Sequence, residues 1–172
     1  MFQKFFPNEY YDSTYHIDFQ EFYDKGYRAV LFDVDNTLVE HDAPANKKAI
    51  ALIKQLKSIG YGVCFVSNND EARVKSFNEQ VGATYVYKAG KPSAKGYVQA
   101  MKKLGTNQTN TLFVGDQIFT DIWGASNAKL YSILVQPIAK HEEIQIVLKR
   151  IPEKWVLHSY LKKNKLRTRS NN

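Results

Sequence analysis

The sequence predicts an α/β protein, a three-layer Rossmann-like parallel sheet with helices on both faces, and three observations lead to this prediction. Strand-like apolar runs alternate with helix-like segments along most of the chain. The runs Val30-Leu31-Phe32 and Val63-Cys64-Phe65 are apolar throughout, which is typical of strands covered by helices on both sides. Polar residues directly follow four of the runs, and ligand sites in such sheets lie beyond the carboxyl ends of the strands.

The composition indicates one globular domain over residues 1–172. Hydrophobic residues make up 44% of the chain and charged residues 24%, which is enough for a substantial core. The single cysteine, Cys64, excludes an internal disulfide framework and favours a reducing compartment. We expect a cytoplasmic protein, because no run approaches the ~20 apolar residues of a membrane span and no signal peptide is predicted.

The net charge of +7 is concentrated at the C-terminal end. Residues 140–172 contain nine Lys or Arg and three Glu, whereas the rest of the chain is nearly neutral. This basic helical segment and tail predicts an anionic partner, either the inner face of a membrane or a nucleic acid. A solvated tail without a partner would have the same composition.

Residues 1–26 form an aromatic arm before a core that we expect to span about residues 27–136. The arm shows no clear period, so it either packs on the core or contacts lipid headgroups at an interface. A short helix is predicted over residues 17–25, with Asp18 near its start and Gly26 after its end.

Strands and helices then alternate to the end of the core. Predicted strands are 29–32, 62–66, 84–87, 111–114 and 130–135, and predicted helices are 46–59, 71–80, 92–104 and 142–150. Gly60, Gly82 and Gly105 each follow a predicted helix, as expected for helix ends. Ile151-Pro152 is expected to break the last helix.

Two carboxylates follow the first core strand. Asp33 and Asp35 lie two residues apart, so they would project to the same face and repel unless a cation is shared or a pKa is raised. Mg²⁺ is the expected cation, because it takes oxygen ligands and keeps several waters. Asn36 and Thr37 are turn residues that can bond their own backbone. A strand followed by a solvated acidic turn would show the same pattern.

The next two strand ends carry a hydroxyl and a lysine. Ser67 and Asn68 precede a predicted helix start, where backbone N–H groups and the helix dipole favour an anion, although the segment would also serve as an ordinary helix cap. Lys91 precedes Pro92, which restricts its backbone to an extended conformation and holds the base of the side chain firmly.

Two more carboxylates follow the fourth core strand. Gly115 permits a tight bend before Asp116, and Asp121 comes five residues later. Together, the four strand ends offer carboxylates for a metal, a hydroxyl for an anion and a fixed cation. Such a set suits phosphoryl transfer, in which charge on the phosphoryl oxygens is neutralised while a nucleophile attacks in line.

These motifs, from Asp33-x-Asp35-Asn36-Thr37 to Gly115-Asp116-Gln117-x-x-Thr120-Asp121, resemble those of the haloacid dehalogenase superfamily of phosphatases. The resemblance covers about residues 27–136. Phe-Pro-x-Glu-Tyr near the start, Val-Ser-Asn-Asn and Lys-Pro further resemble the bacterial YqeG family, over nearly the whole chain. That family is similar to phosphatases that act on phosphatidylglycerophosphate.

The resemblance implies a role for each motif residue. Asp33 would be the nucleophile that forms an aspartyl-phosphate, Asp35 the general acid and base, and Ser67 and Lys91 catalytic groups that hold the phosphoryl oxygens. The implied phosphate-binding residues are Asn36, Thr37, Ser67, Asn68 and Lys91. The implied ligands of Mg²⁺ are Asp33, Asp35 through its carbonyl group, Asp116 and, as a ligand or just beyond the ligands, Asp121.

No cap domain is predicted, because the 34 positions from Asp33 to Ser67 and the 24 from Ser67 to Lys91 are already filled by predicted elements. Members with small substrates use such a cap to exclude water, so a capless member suits a bulky substrate. We expect phosphatidylglycerophosphate at a membrane surface. A nucleic-acid end or a phosphoprotein is the alternative substrate, and a phosphoryl-receiver or binding module is the alternative class.

Overall fold

One parallel sheet forms the centre of the molecule in the computed structural model, which describes residues 3–139 and 144–164. Its six strands run in the order β1-β6-β5-β2-β3-β4, and every neighbouring pair is parallel. The strands are β1 (Glu9–Tyr11), β2 (Ala29–Phe32), β3 (Gly62–Val66), β4 (Thr84–Val86), β5 (Thr111–Gly115) and β6 (Tyr131–Val135). The predicted α/β class is thus confirmed.

Helices cover both faces of the sheet. They are α1 (Phe19–Asp24), α2 (Lys47–Ile59), α3 (Glu71–Asn78), α4 (Lys95–Leu104), α5 (Trp123–Asn127) and α6 (Ile144–Asn164). A π-helical turn, Ile118–Ile122, leads into α5, and two short 3-10 helices, Gln3–Phe5 and Thr14–His16, flank β1. Within residues 3–139 no cap domain interrupts the segments between β2 and β5, as the sequence predicted.

Side chains alternate along β2 between two layers of core. Val30 and Phe32 pack in the layer beneath α1, α2 and α3, whereas Leu31 packs with Tyr97 of α4 and with α5 on the other face. Burying each such side chain stabilises the fold by roughly 1.5–3 kcal/mol relative to leaving it in water. A strand buried on both faces requires the uninterrupted apolar run seen in the sequence.

The register of the central strands brings the strand ends to one edge. Phe32 of β2 lies beside Phe65 of β3 and Val114 of β5. The backbone N–H of Asp33 continues this ladder and donates to the carbonyl of Val114 at 2.9 Å. The loops that follow β2, β3 and β5 therefore emerge together.

The N-terminal aromatic segment belongs to the sheet. Tyr10 of β1 pairs with Leu134 of β6, and the ring of Phe5 packs edge-on against Phe119 and Trp123 at centroid distances of 5.2 and 5.3 Å. Of the two interpretations left open by the sequence, packing on the domain is the one observed. The strand itself was not predicted, because three residues are too short to show an alternating pattern.

The C-terminal helix is longer than predicted, and the expected break at Ile151-Pro152 is wrong, since α6 continues through the proline. Pro152 removes one backbone donor, but tertiary contacts hold the helix on both sides. Arg150 donates to the carbonyl of Asp116 at 2.8 Å, and Glu153 accepts from the backbone of the π-helical turn. Residues 140–143 and 165–172 of the predicted basic segment lie outside the described residues.

None of the helices described, α6 included, combines the length and the apolar character that a membrane crossing needs.

Candidate active site

Asp33 lies in a buried cluster of charges at the carboxyl edge of the sheet. Its Oδ1 accepts a 2.6 Å hydrogen bond from Lys91 Nζ, and the same nitrogen donates to Asp121 Oδ1 at 2.6 Å. The Lys91 side chain is only 3% exposed, so both bonds lie where water screens charge weakly and charge-assisted bonds are strong. Lys91 is therefore fixed between two carboxylates.

Neighbouring groups hold both Lys91 and its second partner. The Lys91 backbone N–H donates to Asn68 Oδ1 at 2.7 Å, and Asn68 Nδ2 donates back to the Lys91 carbonyl at 3.1 Å. Asp121 Oδ2 accepts from the backbone N–H groups of Asp116 and Gln117 at 3.2 and 3.1 Å. Both oxygens of Asp121 thus have protein donors, and its carboxylate helps to orient Lys91.

Asp116 lies beside Asp33 and is bound to a residue of α6. The Thr37 hydroxyl lies 3.3 Å from Asp116 Oδ1 and 3.5 Å from Asp33 Oδ2, so it bridges the two carboxylates. Asp116 Oδ2 accepts a 2.5 Å hydrogen bond from Arg150 Nη2. This partner comes from a position 34 residues further along the chain.

Burial raises the pKa of both central carboxyl groups. The pKa of Asp33 is raised to about 7, chiefly by burial; Lys91 opposes this rise, whereas Asp121 adds to it. The pKa of Asp116 is raised well above its usual value, first by burial and then by Asp33 and Asp121, while Arg150 lowers it. The crowded carboxyl groups thus resist full ionisation, and a bound cation would favour their charged forms.

The acidic cluster fits a divalent cation. One oxygen from each of Asp33, Asp116 and Asp121 lies within 4.8 Å of the others. Carboxylate oxygens are the hard ligands that Mg²⁺ and similar ions take. Burial is the main cause of the raised pKa values of Asp33 and Asp116, and repulsion among the three acids adds to it. A shared cation would relieve this repulsion. The cluster is therefore a candidate divalent-metal site.

Asp35 has different surroundings from those of Asp33. Its Oδ1 accepts from Arg73 Nη2 at 2.7 Å and from the Asp42 backbone N–H at 2.9 Å, and its Oδ2 accepts from Asn69 Nδ2 at 2.6 Å. Its charge is close enough to raise the pKa of Asp33. The structure thus brings Asp35 to the site and holds it with partners from α3 and from the loop before it.

The remaining predicted phosphate-binding residues lie at the same edge. Ser67 is buried directly after β3, and its Oγ accepts from the Asn69 backbone N–H at 3.1 Å. Asn36 is buried, and its Oδ1 accepts from the Ala139 backbone N–H at 3.3 Å, so it supports the loop after β6. His41 lies exposed in the loop after β2.

Sequence reasoning missed four residues that hold the site together: Asn69, Arg73, Arg150 and Glu153. Glu153 is buried, accepts from the Ile118 backbone N–H at 2.9 Å, and lies 3.1 Å from Arg150 through its second oxygen. Glu153 is the last acidic residue of the chain and stands alone among basic and apolar residues. That isolation was the one signal that could have revealed it.

Comparison with known proteins gives consistent matches in sequence and fold. A family described as haloacid dehalogenase-like hydrolase matches residues 40–129. The probable phosphatase YqeG of Bacillus subtilis (strain 168) is 33% identical over 165 residues, which cover 95% of this chain and 96% of that protein. Phosphatidylglycerophosphate phosphatase 1, chloroplastic/mitochondrial, of Arabidopsis thaliana is 26% identical over 142 residues, covering 77% of this chain and 41% of that protein.

A solved structure matches the fold. The haloacid dehalogenase phosphatase from Thermococcus onnurineus superposes with a TM-score of 0.56 at 13% identity, covering 73% of this chain and 97% of that one. With the family match and the Bacillus relative, this establishes that the chain belongs to the haloacid dehalogenase-like hydrolase family. Within that family it is a phosphatase, a hydrolase of phosphoric monoesters.

Proposed function

We propose that the protein is a Mg²⁺-dependent phosphatase that forms an aspartyl-phosphate on Asp33 and hydrolyses phosphatidylglycerophosphate to phosphatidylglycerol. One observation carries the reaction. The buried carboxylate of Asp33 lies 2.6 Å from Lys91 Nζ and forms part of the acidic cluster with Asp116 and Asp121. A nucleophile, a fixed cation and candidate metal ligands are thus present at one point.

The reaction has two steps, each a substitution at phosphorus. A carboxylate oxygen of Asp33 attacks, the bond from phosphorus to the ester oxygen breaks, and Asp35 gives that oxygen a proton. A water then attacks the aspartyl-phosphate, Asp35 takes its proton, and phosphate leaves Asp33. The bonds from Arg73 and Asn69 keep the Asp35 carboxylate in place for both transfers.

Other residues hold the phosphoryl group and the groups that bind it. Lys91 would neutralise a phosphoryl oxygen, and the hydroxyls of Ser67 and Thr37 would donate to others. Asn68 fixes the Lys91 backbone, and Asn36 fixes the loop after β6, so we assign both to positioning. Mg²⁺ held by Asp33, Asp116 and the Asp35 carbonyl would supply positive charge beside the transferred group.

Phosphatidylglycerophosphate is proposed as the substrate for two reasons. The relative from Arabidopsis thaliana carries that activity in its name. The described chain has no cap domain, which suits a bulky headgroup presented by a membrane. Basic residues of the C-terminal segment would favour an anionic leaflet by ~1 kcal/mol each, so we propose peripheral attachment to such a membrane.

The test is Mg²⁺-dependent phosphate release from phosphatidylglycerophosphate in mixed micelles. Asp33→Asn keeps the shape but removes the nucleophile, so we expect at least ~10³-fold lower turnover, or about 4 kcal/mol. Asp24→Asn, at an exposed position of α1, is the matched control and should match the wild type. EDTA should abolish turnover and added Mg²⁺ should restore it.

Two results would contradict the proposal in different ways. Undiminished turnover by Asp33→Asn would reject the nucleophile. Hydrolysis of an aryl phosphate without hydrolysis of the lipid would retain the reaction and reject the substrate. Nucleic-acid ends and phosphopeptides would then be the next substrates to measure.

A further inference from the structure

A cavity of about 640 Å³ adjoins the acidic cluster, between the ends of β1 and β6 and helix α6. Asp116 and Arg150 belong to its lining, so the cavity continues from the candidate active site. Most of its walls are apolar and include Ile118, Leu134, Pro137, Ile138, Ile151 and Leu157. A phosphate monoester whose phosphoryl group lies at Asp33 would therefore have an apolar space beside it.

Five charged residues line this cavity, and they fall into two groups. Asp116 and Glu153 are buried and bonded to Arg150, whereas Asp12 and Lys154 are exposed. The buried charges thus lie beside Asp33, and apolar side chains form most of the remaining wall. This combination suits an amphiphile, which has a charged head and an apolar chain.

Two apolar residues of the cavity lining are also exposed to solvent. Ile138 and Ile151 line it while remaining 41% and 53% exposed, and Trp155, one turn after Ile151 on α6, is 75% exposed. These are three of the five large hydrophobic side chains that are exposed among the described residues. Ile138 and Ile151 thus continue the apolar wall of the cavity to the surface, as expected where apolar material binds.

We infer that the cavity binds the alkyl portion of an amphiphilic phosphate monoester while the phosphate group lies at Asp33. This inference rests on the proposed function, since it extends the same site. Each methylene buried against the apolar walls should increase kcat/KM roughly fourfold, from the transfer energy of a methylene group. Selectivity for long-chain phosphate esters would follow from the cavity itself.

The test compares butyl phosphate with octyl phosphate, both below their critical micelle concentrations and with Mg²⁺ present. For the wild type, we expect octyl phosphate to have at least a tenfold higher kcat/KM. Ile138→Asp and Ile151→Asp, combined in one protein, place charges on two exposed wall positions and should reduce this ratio to about threefold or less. Val98→Asp, at a 51% exposed position of α4, is the matched control and should keep the wild-type ratio.

Binding gives a second measurement. Calorimetric titration with butylphosphonate and octylphosphonate reports the same ratio without turnover, and circular dichroism checks that each variant is folded. Equal affinity for both phosphonates in the wild type, or an unchanged ratio in the folded double variant, would overturn the inference. A chain-length preference without hydrolysis of phosphatidylglycerophosphate would support the cavity and reject only the proposed lipid.

Discussion

The charged groups on the two sides of Asp33 are held by different kinds of contact. On one side Lys91 is buried between Asp33 and Asp121, and Asn68 fixes its backbone. All of these partners come from segments that follow strands. On the other side Asp116 is held by Arg150, which comes from a distant helix and borders a cavity.

The Lys91 side of Asp33 is therefore fixed, whereas on the other side the partner of Asp116 can be exchanged. Displacing Lys91 would break two buried charge-assisted bonds and leave carboxylates without a counterion, which typically costs several kcal/mol. Arg150 lies at the cavity wall, where a cation that competes for Asp116 can replace one of its bonds. We therefore expect the lysine side to stay rigid and a metal to bind on the arginine side.

The largest effect should come from breaking the fixed side. Lys91→Met should lower kcat/KM by about 10³-fold, because it removes the buried cation that we propose binds the transferring group. Lys95→Met, at an exposed lysine four residues later, should behave like the wild type. Steady-state kinetics on an aryl phosphate measures kcat/KM for both variants. A decrease smaller than tenfold in folded Lys91→Met would contradict the expectation that Lys91 is rigidly held and required for activity.

A smaller effect should come from the exchangeable side. Arg150→Met should tighten Mg²⁺ binding about three- to tenfold, because the metal no longer competes with a guanidinium for Asp116. Isothermal titration calorimetry on the apoprotein measures this affinity. Lys162→Met removes the same charge from an exposed position of α6 and should leave the affinity unchanged. Weaker binding by Arg150→Met would instead mean that Arg150 holds Asp116 in place for the metal.

The smallest effect concerns stability in metal-free buffer. The folded protein keeps a proton on Asp33 up to about pH 7, whereas the unfolded chain releases it near 3.8. The stability this proton provides is full below pH 3.8 and is lost as the pH rises through about 7. Asp33→Asn should therefore raise the melting temperature, increasingly so from pH 4 to 7.5, by roughly 2–4 °C per kcal/mol.

Differential scanning fluorimetry in EDTA would follow this difference across the pH range. The same scan on Asp24→Asn gives the effect of losing an exposed carboxylate. A constant difference between Asp33→Asn and the wild type would show that the pKa of Asp33 is not raised in the folded protein.

Most of the fold could be predicted because its signals are local. Continuous apolar runs such as Ala29–Phe32 and Gly62–Val66 identify buried parallel strands directly. The strand at Glu9–Tyr11 could not be identified, because its pairing depends on β6, more than 120 residues later. The predicted break at Pro152 failed for a similar reason, since contacts distant in sequence outweigh one lost backbone hydrogen bond.

The distinction between local signals and contacts distant in sequence also applies to the candidate site. Asp33, Ser67 and Lys91 follow strands, so parallel-sheet geometry alone brings them to one edge. Arg73 and Arg150 join the site from helices, and no spacing in the sequence relates them to Asp35 or Asp116. Local pattern therefore locates the groups that we propose to react, whereas the side chains that hold them depend on tertiary packing.

The pairing of β1 with β6 has a consequence during synthesis. The backbone of Asn8 donates to the carbonyl of Ser132 at 2.9 Å, and Asn8 Oδ1 accepts from the Ser132 backbone N–H, across 124 positions. A ribosome adds about 5–20 residues per second, so the nascent N-terminal strand would wait roughly 6–25 s for its neighbour. Its aromatic rings would remain in water during that interval, which makes them natural targets for chaperones. β1 is thus synthesised well before β6, the strand with which it pairs.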